Sequence, residues 1–158
     1  MKILGIDQSF TSTGYVIINE HDVITYGIIS SPKSDGDVFT RARIITNKLV
    51  SLSSEYQVDQ VFIEGLAFGG VGDATRQLSG LQFLIVDSLR PLNITIVPPT
   101  TLKKFATGKG NAKKEDMYNS LSPDIKTLFH EGNLKKTKGL YDCTDAFFLA
   151  KYGLRDIS

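Results

Sequence analysis

The sequence has one cysteine, Cys143, and no tryptophan in 158 residues. A lone thiol excludes a disulfide framework and a cysteine-built zinc site. The two histidines, His21 and His130, lack the spacing of a metal-ligand pair and read as ordinary surface residues. No apolar run reaches the roughly 18 residues that a membrane-spanning helix needs. An acid already stands at Asp7, too early for a secretory signal peptide. Internal repeats, linkers and low-complexity tracts are missing as well. The expectation is a soluble protein of a reducing, cytoplasmic compartment, with no membrane partner and no small-molecule cofactor. The length suits a single domain, residues 1–158, able to bury a core without covalent staples.

Net charge is also nearly absent: 18 Lys and Arg face 17 Asp and Glu. The balance hides an asymmetry. Residues 1–100 carry seven basic and ten acidic side chains, whereas residues 101–140 carry nine Lys and four acids. Five Lys and no acid lie between Lys103 and Lys114. Such a stretch can be the footprint of a phosphate backbone or a solvated surface loop, and charge alone does not choose between them.

What is present is a clear pattern of elements. Lys2–Asp7, Thr13–Asn19 and Val23–Ile29 read as a meander of three strands. Apolar residues then recur at three- and four-residue steps from Val38 to Tyr56, which predicts a helix capped by Asp37. Gln60–Glu64 predicts a fourth strand. A glycine-rich loop from Phe68 to Gly72 leads into a helix that Asp73 caps and that ends near Leu89. Ile94–Val97 predicts a fifth strand, stopped by Pro98-Pro99. Helices are expected at Thr100–Ala106, at Ala112–Leu121 and at Asp142–Tyr152, the last with Gly153 as its C-cap. The Lys-rich segment 131–139 reads as mobile. A meander followed by strand–helix alternation means an α/β fold, a mixed five-stranded sheet flanked by helices.

Four acidic residues stand out by where they fall. Asp7 ends the first strand and Glu64 the fourth, and strand ends are where open α/β sheets place functional groups. Alternatively, each acid simply begins a solvated turn. Asp142 and Asp145 lie three apart on one helix face, which continues into Leu149 and Tyr152. Two like charges on a stripe that should pack on the sheet repel each other and lose solvation. A divalent cation would compensate them; helix N-terminal acids favoured by the macrodipole are the competing account. If the strands of Asp7 and Glu64 are neighbours and the last helix docks at that end, four carboxylates converge. Oxygen donors alone suit a hard ion, Mg²⁺ or Mn²⁺. Two such ions about 4 Å apart would activate a water and stabilise the leaving oxygen of a phosphodiester.

ILGIDQSFTSTGY at the start, VFIEG around Glu64, LKKFATGKGNAKKED and YDCTDAFFLA near the end resemble the RuvC family of Holliday junction resolvases, within the RNase H-like superfamily. The likeness runs through nearly the whole chain, in order, and suggests the bacteriophage branch. It implies an RNase H-like fold and a homodimer that binds a four-way DNA junction and nicks two strands symmetrically. By position it makes Asp7, Glu64, Asp142 and Asp145 the metal ligands. Lys103 and Lys114 match the two basic residues of the family's stretch, and Lys114 is the one expected near the scissile phosphate. Phe68 falls where the family has an aromatic that wedges into the junction centre. Where the family usually has Pro-Gly after the first acid, this chain has Gln8-Ser9.

On that reading Lys103, Lys104, Lys109, Lys113 and Lys114 contact phosphates. Arg76 and Gln77, early in the helix after the glycine loop, either reach DNA or are merely exposed. The helix around Leu78–Ile85 is expected at a twofold interface, with Phe39 and Phe83 as core or interface residues. Other readings are a broader debranching nuclease for flaps and three-way junctions, an actin-like ATPase and a non-catalytic DNA-binding relict. The chain is too short for the two lobes of the ATPase, and the acids argue against the relict.

Overall fold

Side chains alternate along each strand, and here both faces of the sheet are covered. The structure is a computed structural model that describes residues 1–67 and 70–157. It has strands β1 (Ile3–Asp7), β2 (Ser12–Ile18), β3 (Val23–Ser30), β4 (Gln60–Glu64) and β5 (Asn93–Val97). Its helices are α1 (Val38–Glu55), α2 (Asp73–Ser88), α3 (Pro99–Thr107), α4 (Lys114–Asn119), α5 (Pro123–Glu131) and α6 (Leu140–Ile157). One five-stranded sheet runs β3-β2-β1-β4-β5, antiparallel within the meander and parallel from β1 through β4 to β5. This is the mixed, helix-flanked sheet that the element order implied.

Leu4 and Ile6 of β1, with Val61 and Ile63 of β4, join Ala42, Ile45, Leu49, Leu81 and Ile85 in one apolar layer under α1 and α2. Ile3 and Phe62 point to the opposite face, with Ala146, Leu149 and Ala150 of α6 and with residues of α3 to α5. The period-2 rule thus sends Ile3, Gly5 and Asp7 toward α6. Asp37 caps α1 as expected, its carboxylate accepting from the Thr40 N–H at 2.8 Å. Among the described residues, no helix is long and apolar enough to cross a membrane.

Four local expectations need correction. Gly72, at φ 109°, takes the N-cap position of α2 without a side-chain bond, and Asp73 is the first helical residue instead. Gly153 does not end α6: it lies inside the helix, and a Cβ there would fall 2.5 Å from the Phe62 ring, so its role is close packing. Segment 131–139 is not featureless: it carries a turn closed between Lys135 and Lys138. Pro123 starts the unforeseen α5, which buries Phe129, and buried Leu134 anchors the turn that follows. Tyr26 Oη donates to the Leu128 carbonyl at 2.7 Å and ties α5 to β3. Finally, Phe39 and Phe83 are 78% and 77% exposed, which removes the core reading and leaves the interface one. Phe147, whose partner the sequence left open, packs edge-on against Phe129 at 6.5 Å between ring centroids.

Candidate active site

The pairing of β1 with β4 sets Ile6 opposite Ile63, so the next residue along each strand is Asp7 and Glu64. Adjacent strands lie about 4.8 Å apart, and two acids distant in sequence therefore meet at one sheet end. Helix α6 crosses the sheet at the same place. It can come close because Gly5 lacks a Cβ: the Ala146 carbonyl and the Ala150 amide occupy the space that a side chain would need. Gly14 does the same for the start of α6, where a Cβ would lie 2.5 Å from the Asp142 backbone. Two glycines thus press α6 onto the strands and bring its acids to Asp7.

Carboxylate oxygens of Asp7, Glu64 and Asp145 come within 4.8 Å of one another. The three belong to a pocket of about 320 Å³ that Asp142, Ser9, Leu102, Lys103, Lys114 and Met117 also line. Asp142 stands at the edge of the trio, its Oδ2 accepting a hydrogen bond from Ser12 Oγ at 2.8 Å. Gln82 Nε2 donates to the Glu64 carbonyl at 3.0 Å and links α2 to the end of β4. Gln8 Nε2 donates to the Leu78 carbonyl at 2.9 Å and links α2 to the residue after Asp7.

The electrostatics follow from this crowding. Burial, and then the charges of Asp145, Glu64 and Asp142, hold the Asp7 carboxyl well above its usual range, with Lys114 opposing. Burial and the charges of Glu64 and Asp142 push Asp145 up to about 7, against Lys114 and Lys103. Glu64 is raised mainly by burial, with Lys103 and Lys114 pulling it down. Carboxylates in this state gain from a bound cation. The donor set, oxygen without nitrogen or sulfur, fits a hard divalent ion. Cys143 is no nucleophile: burial, then Asp142 and Asp7, push its thiol up to about 12.

The four acids, Lys103 and Lys114 are therefore brought together as the sequence implied. The other expected DNA-contacting residues are not in this pocket. Lys104 lines a recess with Thr101, Phe105, Tyr152 and Arg155. Lys109 and Lys113 are exposed around the start of α4. Arg76 and Gln77 line an apolar groove with Phe10, Val38, Phe39 and Leu84, and Arg76 pairs with Asp73 at 3.3 Å. Phe68 lies outside the described residues. Ser9 and Ser12 were missed as site residues, because uncharged hydroxyls in a loop and at a strand start carry no signal until α6 is placed beside them.

The family model for the crossover junction endodeoxyribonuclease RuvC matches residues 3–150. The chain belongs to the RuvC family. The RuvC of Halothermothrix orenii is 30% identical over 149 residues, spanning 90% of this chain and 87% of that one. A Thermus thermophilus RuvC structure superposes with a TM-score of 0.76 at 13% identity, covering 99% of this chain and 96% of that one. A second, described as T. thermophilus RuvC in complex with Holliday junction substrate, gives 0.74 at 15% identity, covering 95% and 90%. These likenesses place the RNase H-like RuvC fold on the chain from end to end. RuvC proteins are junction endonucleases by name, and the acidic pocket is where this chain has the chemistry for such a reaction.

Proposed function

We propose that the whole chain, residues 1–158, is a single RNase H-like nuclease domain that resolves four-way DNA junctions by hydrolysing phosphodiester bonds. The observation that carries this reading is the meeting of Asp7, Glu64 and Asp145 within 4.8 Å, beside Lys103 and Lys114. Asp7, Glu64, Asp142 and Asp145 would hold divalent ions, Mg²⁺ with Mn²⁺ able to replace it. Bound there, two such ions supply an activated water and charge stabilisation of the leaving oxygen.

The chain's own groups do the rest. Asp7, on the central strand, faces acids from both β4 and α6 and so would hold the ions at a fixed place on the sheet end. Lys114 presents an ammonium at the pocket and offsets the negative charge that grows on the phosphoryl oxygens. Lys103 does so from α3. Lys104, Lys109 and Lys113 lie outside the pocket and draw in the flanking backbone without reading bases. Exposed Phe83 and Leu84, with the groove beside Phe39, support a homodimer through α2, and two copies would nick two strands in a symmetric pair. The protein would act in the bacterial cytoplasm.

The test is a panel of labelled substrates: four-way and three-way junctions, flaps and linear duplex. Paired symmetric nicks in the four-way junction, with slow or no cutting of the others, are expected. Equal cutting of flaps and three-way junctions would reject the resolvase reading in favour of general debranching.

A further inference from the structure

Among the four acids, Asp142 has a partner of its own. It lines the pocket but is not one of the three that converge within 4.8 Å. Its Oδ2 takes the Ser12 hydroxyl hydrogen bond at 2.8 Å, across 130 residues of chain. Both side chains are half-buried. The backbone that carries that hydroxyl is held from behind. Ser12 N–H donates to Ser9 Oγ at 2.9 Å, Ser9 N–H donates to Thr13 Oγ1 at 3.2 Å, and Thr13 Oγ1 donates to the Ser9 carbonyl. Gly14 keeps β2 against the first turn of α6, so the bond spans two rigid elements.

A hydroxyl bound to one carboxylate oxygen fixes the plane of the group and leaves the other oxygen free for an ion. Without it, Asp142 would swing away from Asp145, the like charge three residues along the same helix face. Nothing else among the bonded partners of the described residues holds the Asp142 carboxylate in the pocket.

We propose that Ser12 is a positioning residue: through Asp142 it sets how tightly the second of two divalent ions is held. This rests on the reading of the four acids as ion ligands. Ser12 is not among the residues lining the pocket and its hydroxyl bonds Asp142, not the convergent trio, so its effect runs through Asp142. Threonine keeps the hydroxyl and suits a strand position, whereas alanine removes only the donor.

The experiment is calorimetric titration of the ion-free full chain with Mn²⁺ and then with Mg²⁺. It compares wild type, Ser12→Ala, Ser12→Thr, Asp142→Asn and the Ser12→Ala/Asp142→Asn double variant. Wild type should take up two ions. Ser12→Ala should leave the tighter uptake unchanged and weaken the other by about 10- to 100-fold. Ser12→Thr should restore it, and Ser12→Ala should add nothing once Asp142 is Asn. Unchanged uptake in Ser12→Ala, equal weakening of both ions, a further loss in the Asp142→Asn background, or a single ion in wild type would each overturn the proposal. If wild type takes up two ions and cuts junctions while Ser12→Ala titrates like it, only this role of Ser12 falls. If wild type takes up none, the four-acid reading falls as well.

Discussion

Burial and two like charges act together at Asp145, whose carboxyl moves from an ordinary 3.8 to about 7. A raised acid favours the protonated folded state. Its contribution to stability is therefore complete below the unfolded value near 3.8 and is lost as pH rises toward about 7. The ion-free protein should melt at progressively lower temperature across that window, as followed by circular dichroism. Asp145→Asn should flatten the slope and raise the neutral-pH midpoint by roughly 2–4 °C, equivalent to about 1 kcal/mol in a domain of this size. Ion uptake should reverse the trend, because binding requires the deprotonated acids and grows stronger as pH passes about 7. Asp7→Asn should keep junction affinity in a gel-shift assay and lose cleavage by on the order of 10³-fold, since it removes the group that both acidic elements face.

The element that decides the site is α6, and its seat depends on side chains that are missing. Gly14→Ala would put a Cβ against the Asp142 backbone. The start of α6 would have to move, at a cost on the order of 1–3 kcal/mol. A denaturant titration should show that loss, and the weakened ion uptake should come with it. Arg41 does a related job for the loop after Asp7. It is buried in the first turns of α1, where the helix dipole disfavours a cation. Its Nε donates to the Ser31 carbonyl at 2.7 Å and its guanidinium lies 5.2 Å from the Phe10 ring centroid. Arg41→Ala should destabilise the fold by about 1–3 kcal/mol, because the buried Ser31 carbonyl loses its donor.

The elements were largely legible from the sequence because hydrophobic spacing is local information. Val38 to Tyr56 shows a helical period and Gln60 to Glu64 a strand, and both form where the pattern put them. The acids were legible because a carboxylate at a strand end or on a packed helix face conflicts with its surroundings. What was not legible depends on contacts across the chain. Gly153 looks like a helix stop until Phe62 is placed against it. Helix α5 was lost among polar residues because its apolar anchor, Phe129, buries against α6 and β3 rather than along its own sequence. Ser12 carries no sign of its role apart from Asp142.

At the scale of the molecule, the near-neutral total charge divides into an acidic pocket and a Lys-rich rim. Junction binding should weaken steeply as salt rises. Replacing Lys109 or Lys113 by Ala should reduce the slope of log affinity against log salt by about 1 each, with little change in which junction sequences bind. The apolar surface at Phe39, Phe83 and Leu84 is the molecule's other large-scale feature. Phe83→Ser should shift sedimentation toward monomer and turn paired nicks into single ones, while ion uptake stays intact.

Everything proposed for this chain depends on acids from β1, β4 and α6 forming one cation site. The decisive measurement is anomalous diffraction from a crystal soaked in Mn²⁺. Strong peaks are expected in contact with Asp7, Glu64 and Asp145, with their loss in the Asp7→Asn crystal. A saturating soak that leaves this pocket without an anomalous peak, or that places the manganese away from Asp7, would contradict it.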